Sequence, residues 1–386
     1  MLDFERRNEY FDRLTAQPAL RWLGQNTNHL PPPPAVTAAM QQVIASGEFQ
    51  GYAPPAGYER LREGVVADLG LSGTRDEADD RRAAAWITDG AVAGLYHTVC
   101  TLLGPGDEMI APDPGWKWPL AFARSRGASV TEVPVWSADC GYRLAPAALE
   151  RAITPRTRLI YLVDPNNPTG ACATAQEIRD ICEIARQAGA WLIHDCTYRH
   201  FADAHTLAWN HYPERTVMTY SFSKWLGLAG MRVGAIVASA TVLERLAQAP
   251  PNNLGSSVIA QRAAIAGLEV KDQWFPEVQR AQRANQAAIA AAVATVPGMS
   301  IAVYPSQGNF MAIDVSGTGV SPDALVAAFQ GEGILIRQGG YHTRRFADRF
   351  VKVSTTVPTA WVTEFCERLP AMVEQARTAP PPAGLY

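Results

Sequence analysis

Between residues 85 and 240 one arrangement recurs that few folds accommodate: short apolar runs of strand length alternate with stretches of helical periodicity. The runs are 85-AWIT-88, 107-DEMIA-111, 129-SVTEVPV-135, 158-RLIYLVD-164, 190-AWLIHD-195, 216-TVMTYS-221 and 233-VGAIVA-238, and helical patterns lie at 91–103, 117–126, 146–153 and 174–189. A strand covered on both faces reads as a continuous apolar run, and a helix between two strands returns the chain in the same direction. The pattern therefore predicts an α/β fold, with a mainly parallel seven-stranded sheet inside an αβα sandwich.

The flanks follow a different grammar. Residues 1–24 read as a polar amphipathic helix and a short arm, stopped by 31-PPPP-34. A helix from about 35 to 46, the loop 47-GEFQGYAPPAGYERL-61 and a helix at 58–69 precede the first apolar run. An amphipathic stretch at 254–296 leads into strand-like segments at 301–315, 334–339 and 350–355, with helices at 322–333 and 358–376, the pattern of a smaller α+β domain. Residues 379–386 read as a loose tail. A chain of 386 residues exceeds the usual single-domain size. The expected division is an N-terminal arm with part of the small domain (1–45), a large domain (46–280) and a C-terminal small domain (281–386).

Charge excludes some partners. With 34 basic and 37 acidic side chains the formal charge is -3, and no basic block offers a phosphate backbone or an anionic bilayer a surface. No nucleic acid and no membrane partner is expected. The six cysteines form no CxxC pair, and the start lacks the apolar core of a secretory signal, so a reducing, cytoplasmic setting is expected.

Ligands of α/β sheets gather at the carboxyl ends of the strands. Here those ends carry Asn167 in 165-PNNPTG-170, then Asp195 with Tyr198, then Ser221, Ser223 and Lys224 in 221-SFSK-224, followed by Arg232. Taken singly, Asp195 reads as a cap, Lys224 as a solvated amine and the Asn–Pro–Gly run as a turn. Together they match the groups of pyridoxal 5'-phosphate. Lys224 supplies an amine for the aldehyde, Asp195 a carboxylate for the pyridinium, Asn167 and Tyr198 donors to the phenolic oxygen, and Ser221 and Arg232 contacts for the phosphate.

With these motifs in this order, the chain resembles the class I/II aminotransferases of pyridoxal phosphate fold type I, the aspartate aminotransferase superfamily. The resemblance runs from the loop near residue 50 to the strand near 352. It implies that Gly90, Ala91 and Val92 cradle the phosphate at a helix N-terminus. It also implies that Trp116 stacks on the pyridine face and that Tyr52 reaches the cofactor of a neighbouring subunit, hence a homodimer with composite sites. Transamination between an L-amino acid and a 2-keto acid, through a Lys224 Schiff base, is the implied activity. The alternatives are a lyase, decarboxylase or cyclase that uses the same cofactor, and a non-catalytic regulator, for which no segment is left over to form a DNA-binding domain.

One departure bears on the substrate. Where the family usually holds the substrate carboxylate with an arginine, 350-FVKVST-355 has Lys352, which cannot form a planar two-pronged contact. Either Lys352 serves more loosely, or Arg337 or another arginine substitutes, or the substrate differs at this group, with Arg349 expected on the opposite face of the strand. Asn26, with Asn28 and His29 nearby, is a further candidate for substrate binding, while Trp118 and Trp225 read as either core or pocket wall. His194 should face away from Asp195, and 200-HFADAH-205 lacks a third ligand, so no metal is expected.

Overall fold

The computed structural model describes residues 3–71, 82–248 and 254–378; the C-terminal tail expected at 379–386 lies outside them. In chain order the strands are β1 (Arg21–Trp22), β2 (Ala83–Thr88), β3 (Glu108–Asp113), β4 (Ser129–Pro134), β5 (Thr157–Val163), β6 (Trp191–Asp195), β7 (Thr216–Ser221), β8 (Gly234–Ser239), β9 (Ser300–Ile301), β10 (Phe310–Asp314), β11 (Ile334–Leu335), β12 (Arg337–Gln338) and β13 (Phe350–Ser354). The helices are α1 (Asp3–Thr15), α2 (Pro34–Ser46), α3 (Glu59–Asp68), α4 (Ala91–Leu102), α5 (Trp118–Ser125), α6 (Pro146–Ala152), α7 (Ala175–Gln187), α8 (Ala240–Ala247), α9 (Val258–Glu269), α10 (Lys271–Ala294), α11 (Pro322–Gly331) and α12 (Thr359–Thr378).

The seven apolar runs form one sheet in the order β2-β8-β7-β6-β5-β3-β4. Five of its strands, β3 to β7, are parallel, and β8 runs antiparallel to both β7 and β2. The connection from β7 to β8 holds a short 3₁₀ turn in place of a crossover helix, so the chain can only return antiparallel. One face of the sheet packs Val99, Tyr161, Ile193, Val217 and Ile236 with Trp225, the other Ile110, Ile160 and Leu192 with Ile178 and Ile181 of α7. Helix α7 begins with a reciprocal capping box between Thr174 and Glu177, which fixes where it leaves the strand end.

The region expected as one strand at 334–339 is divided at Ile336. Strand β11 pairs parallel with β1, whereas β12 pairs antiparallel with β13 in a four-stranded sheet, β12-β13-β10-β9. The amphipathic stretch likewise resolves into two helices. The 24 residues of α10 span about 36 Å. Its Phe275 and Val278 join the core of the seven-stranded sheet, and its Ile289 and Val293 join that of the four-stranded sheet.

A polar knot ties α3, α10 and the segment after β6 together. The Asp68 carboxylate receives Lys271, Arg199 at 3.1 Å, His200 at 2.8 Å and Tyr220 at 2.8 Å. Burial alone would push this carboxyl up, but His200 and then Lys271 pull it far below the usual carboxylate range. Replacing it strands two cations in a largely buried site. Asp68→Ala should therefore cost about 3–5 kcal/mol of stability in urea unfolding. Because the carboxyl is held low in the folded chain, its contribution is present above about pH 4 and is lost as pH falls, so the variant should show a shallower acid dependence than the parent.

Candidate active site

The strand ends meet around one cavity of about 330 Å³. Asn26, Ala91, Val92, Trp116, Asn167, Asp195, Tyr198, Ser221, Ser223, Lys224, Arg232, Arg337 and Lys352, each a candidate from the sequence, line it. Gly90 stands one residue before the lining helix. Tyr52 is 79% exposed and is not part of this cavity. Among the residues left open, Trp118 lines the cavity and Trp225 is wholly in the core. Asn28 and His29 have structural partners: Asn28 bonds the Trp225 carbonyl at 3.0 Å, and His29 pairs with Thr27 and packs on Trp361.

Asp195, 2% exposed, ends the central strand β6 with both oxygens engaged. Its Oδ1 accepts from Thr219 Oγ1 and Thr197 Oγ1, each at 2.6 Å, and its Oδ2 accepts from Tyr161 at 2.8 Å. Thr219 lies directly across from Asp195 on β7, and Tyr161 is a diagonal neighbour on β5. The three donors hold the carboxylate in a fixed orientation.

Lys224 follows β7, where the backbone turns away from the sheet. Its Nζ donates to the Gln25 carbonyl at 3.2 Å. Burial and the charge of Arg232 push the amine down to about 8, opposed by Asp195. An amine with that value is about one-fifth neutral near physiological pH, against about a thousandth for an ordinary lysine, which favours a nucleophilic or general-base role.

At the β2–α4 junction the first turn of α4 has no side-chain cap, so its N–H groups are available to an anion. Arg232 extends alongside with a positive φ of 53°, its guanidinium held by the Ala229 carbonyl at 2.8 Å. Gly90 makes room for it. A Cβ at that position would lie 2.4 Å from Arg232 Nη2, on a backbone whose φ is already 79°. A cradle of backbone amides, hydroxyls and an arginine is what a phosphate ester requires.

Opposite this cradle, Tyr198 Oη accepts from Asn26 at 3.0 Å and from Asn167 at 3.3 Å, and Lys352 Nζ donates to Asn167 Oδ1 at 3.3 Å. Lys352 and Arg337 are cross-strand partners on β13 and β12, 3% and 5% exposed. Arg349 instead bonds Asp314 at 2.9 Å, half exposed and away from the cavity. Burial pushes the Lys352 amine well below its usual range, helped by Arg337 and Lys224.

Sequence reasoning missed Arg7 and Phe11 of α1, which also line the cavity. Their spacing of four residues on an amphipathic helix was the available signal. It also missed Tyr161, Thr197 and Thr219, whose roles follow from strand register.

Behind the sheet end, His194, Cys196 and His205 are a group of metal-ligand type whose donor atoms lie within 4.8 Å of one another. The Ala208 N–H donates to His194 Nδ1 at 3.2 Å, which leaves the neutral ring's proton on Nε2, 3.7 Å from Asp164. His205 lies 3.3 Å from the same carboxylate. The expectation that the 200–205 segment lacks further ligand-type partners is thereby corrected, for His194 and Cys196 stand beside His205; burial pushes the Cys196 thiol well up, away from the thiolate that a metal takes.

Fold and site together define an α/β protein whose cavity brings together a buried lysine, a buried carboxylate, an arginine and an uncapped helix N-terminus. The description "Aminotransferase class I and II" matches residues 20–369, and the chain belongs to that family. An aspartate aminotransferase of Pyrococcus horikoshii is 26% identical, over 95% of this chain and 94% of its own. A histidinol-phosphate aminotransferase of Rhodospirillum centenum is 30% identical over 82% and 83%. The N-succinyldiaminopimelate aminotransferase structure of Mycobacterium tuberculosis superposes with a TM-score of 0.82 at 25% identity, covering 94% of this chain and 95% of that one. The protein is accordingly an aminotransferase of pyridoxal phosphate fold type I, a family that implies pyridoxal phosphate as cofactor.

The cradle yields a direct test. Gly90→Ala should displace the Arg232 guanidinium and weaken capture of pyridoxal phosphate by about 10–100-fold, as loss of a charge-assisted contact would. Absorbance titration of the cofactor-free protein reads the affinity, and circular dichroism should remain unchanged.

Proposed function

We propose that this chain moves an amino group from an L-amino acid to a 2-keto acid, with the cofactor anchored at Lys224 and the substrate α-carboxylate received by Lys352 beside Asn167. The observation that carries this reading is the placement of Lys224: a desolvated amine between a phosphate cradle and the fully hydrogen-bonded Asp195. Bound pyridoxal phosphate supplies an electron sink that labilises bonds at the substrate α-carbon.

The chain's own residues do the rest. The α4 amides, Ser221, Ser223 and Arg232 fit the phosphate, and Asp195 fits the ring nitrogen, keeping its proton in place. Tyr198 and Asn167 face the phenolic oxygen, with Trp116 as a wall for the ring. With cofactor and substrate bound, the Lys224 amine would serve as the base that takes and returns the α-carbon proton, and a base held in position is the main requirement of such a transfer. Lys352 supplies charge without the fork of an arginine, and Asn167 directs it.

The exposed Tyr52 is suited to a phosphate in a second subunit, which supports a homodimer with composite sites. Six free cysteines, and the absence among the described residues of any helix long and apolar enough to cross a membrane, support a cytoplasmic setting.

Single L-amino acids added to the cofactor-loaded protein without a keto acid should convert the cofactor stoichiometrically to its aminated form, and a keto acid should reverse it. A persistent spectrum with accumulating carbon dioxide, ammonia or cyclised product would overturn transamination. A second test uses the lowered amine. Because only neutral Lys224 attacks the aldehyde, capture of the cofactor by cofactor-free protein should accelerate as pH rises through about 8 and then level off. An ordinary lysine would shift that midpoint to about 10.4.

A further inference from the structure

The loop that presents Asn167 is closed from behind by a carboxylate that does not line the cavity. Asp164 follows the last residue of β5 and is 2% exposed. Its Oδ1 accepts from the Ala173 N–H at 2.7 Å, which joins the two ends of the segment carrying Asn167. Its own N–H donates to the Asp195 carbonyl at 3.0 Å, so the same residue fastens the loop to the end of β6. Between those ends the Asn166 N–H donates to the Ala171 carbonyl at 2.7 Å and the Gly170 N–H to the Asn166 carbonyl at 2.8 Å. Once its ends are tied, the turn has little freedom left.

The other oxygen of Asp164 faces two imidazoles and a thiol. His205 Nε2 lies 3.1 Å from the Asp164 carbonyl and 3.3 Å from Oδ2, and His194 Nε2 lies 3.7 Å from Oδ2. The Cys172 thiol donates to Oδ2 at 3.6 Å. The Ala208 N–H holds the His194 proton on Nε2, facing the carboxylate, and the two rings stack with centroids 5.1 Å apart. Burial alone would push the Asp164 carboxyl up, but His194 and then His205 hold it well below the usual carboxylate range. The pair of rings thus clamps the carboxylate that ties the loop.

Asn167 depends on that tie. Its Nδ2 donates to Tyr198 Oη at 3.3 Å, while its Oδ1 accepts from Lys352 at 3.3 Å and from Asn26 at 3.4 Å. These contacts orient the amide group. The backbone beneath it is held by Asp164 at both ends of the loop, and by the Gln307 N–H on the Gly170 carbonyl at 2.8 Å. A small displacement of a group that faces a bound ligand is costly, because hydrogen bonds weaken steeply with distance and angle. Asp164 lies outside the cavity lining, so its influence on the cavity passes through the loop.

We propose that Asp164, clamped by His194 and His205, is a positioning residue for Asn167: it fixes the 164–173 loop so that the Asn167 amide is presented to the phenolic oxygen of the cofactor. The proposal rests on Asn167 facing that oxygen, as in the function proposed above. Asp164→Asn isolates the clamp. An amide at that position still accepts from Ala173, but its NH₂ group meets the Nε2 proton of His194, which the Ala208 N–H keeps from moving to Nδ1.

A double-variant cycle with Asn167→Ala tests it without reference to turnover. Asp164→Asn should bind pyridoxal phosphate about 10-fold more weakly than the parent, as loss of a charge-assisted contact would, with a shifted absorbance band of the bound cofactor. Amide hydrogen exchange across residues 165–173 of the loaded protein should be faster. Asn167→Ala should weaken binding by itself, and adding Asp164→Asn to it should cost no more than about twofold further, because the second change acts through the first. His205→Gln, which keeps a donor toward Asp164, should retain more of the parent spectrum than His205→Ala. Parent-like exchange and spectrum in Asp164→Asn, or effects of the two substitutions that multiply in full, would overturn the proposal. Where Asp164→Asn does not fold, the His205 pair decides, and parent-like exchange and spectrum in both of its variants would overturn it equally. An Asn167→Ala protein with unchanged cofactor binding, beside a 165–173 segment still loosened by Asp164→Asn, would uphold the positioning of Asn167 and sink its place at the phenolic oxygen instead.

Discussion

A carboxylate taken out of water at the end of a central β-strand is costly unless every lone pair finds a donor. Asp195 meets that condition with three neutral side chains, Tyr161, Thr197 and Thr219, and no cation is bonded to it among the described residues. Much of the site is arranged around this charge. It opposes the desolvation of Lys224, so that the amine is lowered without being extinguished. It lines the cavity, where it would suit a protonated ring nitrogen of the cofactor proposed above. The sheet register that places Thr219 opposite Asp195 is thus part of the electrostatics, because a slip of one residue would turn both side chains to the other face.

The strands and their ends were legible because continuous apolar runs have few other uses, and because reactive residues directly after such runs have a predictable place. Direction was less legible. The antiparallel course of β8 follows from a connector too short in helical content to cross over, and that inference needs the strand order as well as the strand itself. Strands β11 and β12 read as one apolar segment because Ile336, fully buried, continues the pattern through the point where the chain changes sheets. Burial is what a sequence pattern reports, and hydrogen-bond partners are not.

The same distinction explains the site. Lys224, Asp195, Tyr198 and Arg232 stand at fixed offsets from strand ends and could be found by position. Tyr161 and Thr219 act through register, and Arg7 through the packing of a helix more than three hundred residues distant in sequence from Leu335. His194 was correctly expected to turn away from Asp195, since neighbours in a strand alternate. That it stacks on His205 over a shared Asp164 depended on a loop whose path no local signal encodes.

Asn26 shows how these long-range links converge. Its backbone adopts φ 55°, a left-handed conformation that costs a side-chain-bearing residue energy, though asparagine less than most. The surroundings hold it there: its N–H donates to Ser354 Oγ at 2.9 Å, and its carbonyl accepts from Asn309 at 3.0 Å. Its side-chain amide donates to Tyr198, while the buried Oδ1 has no partner. One residue thus connects β13, the segment before β10 and the loop after β6, and presents an unpaired acceptor at the cavity.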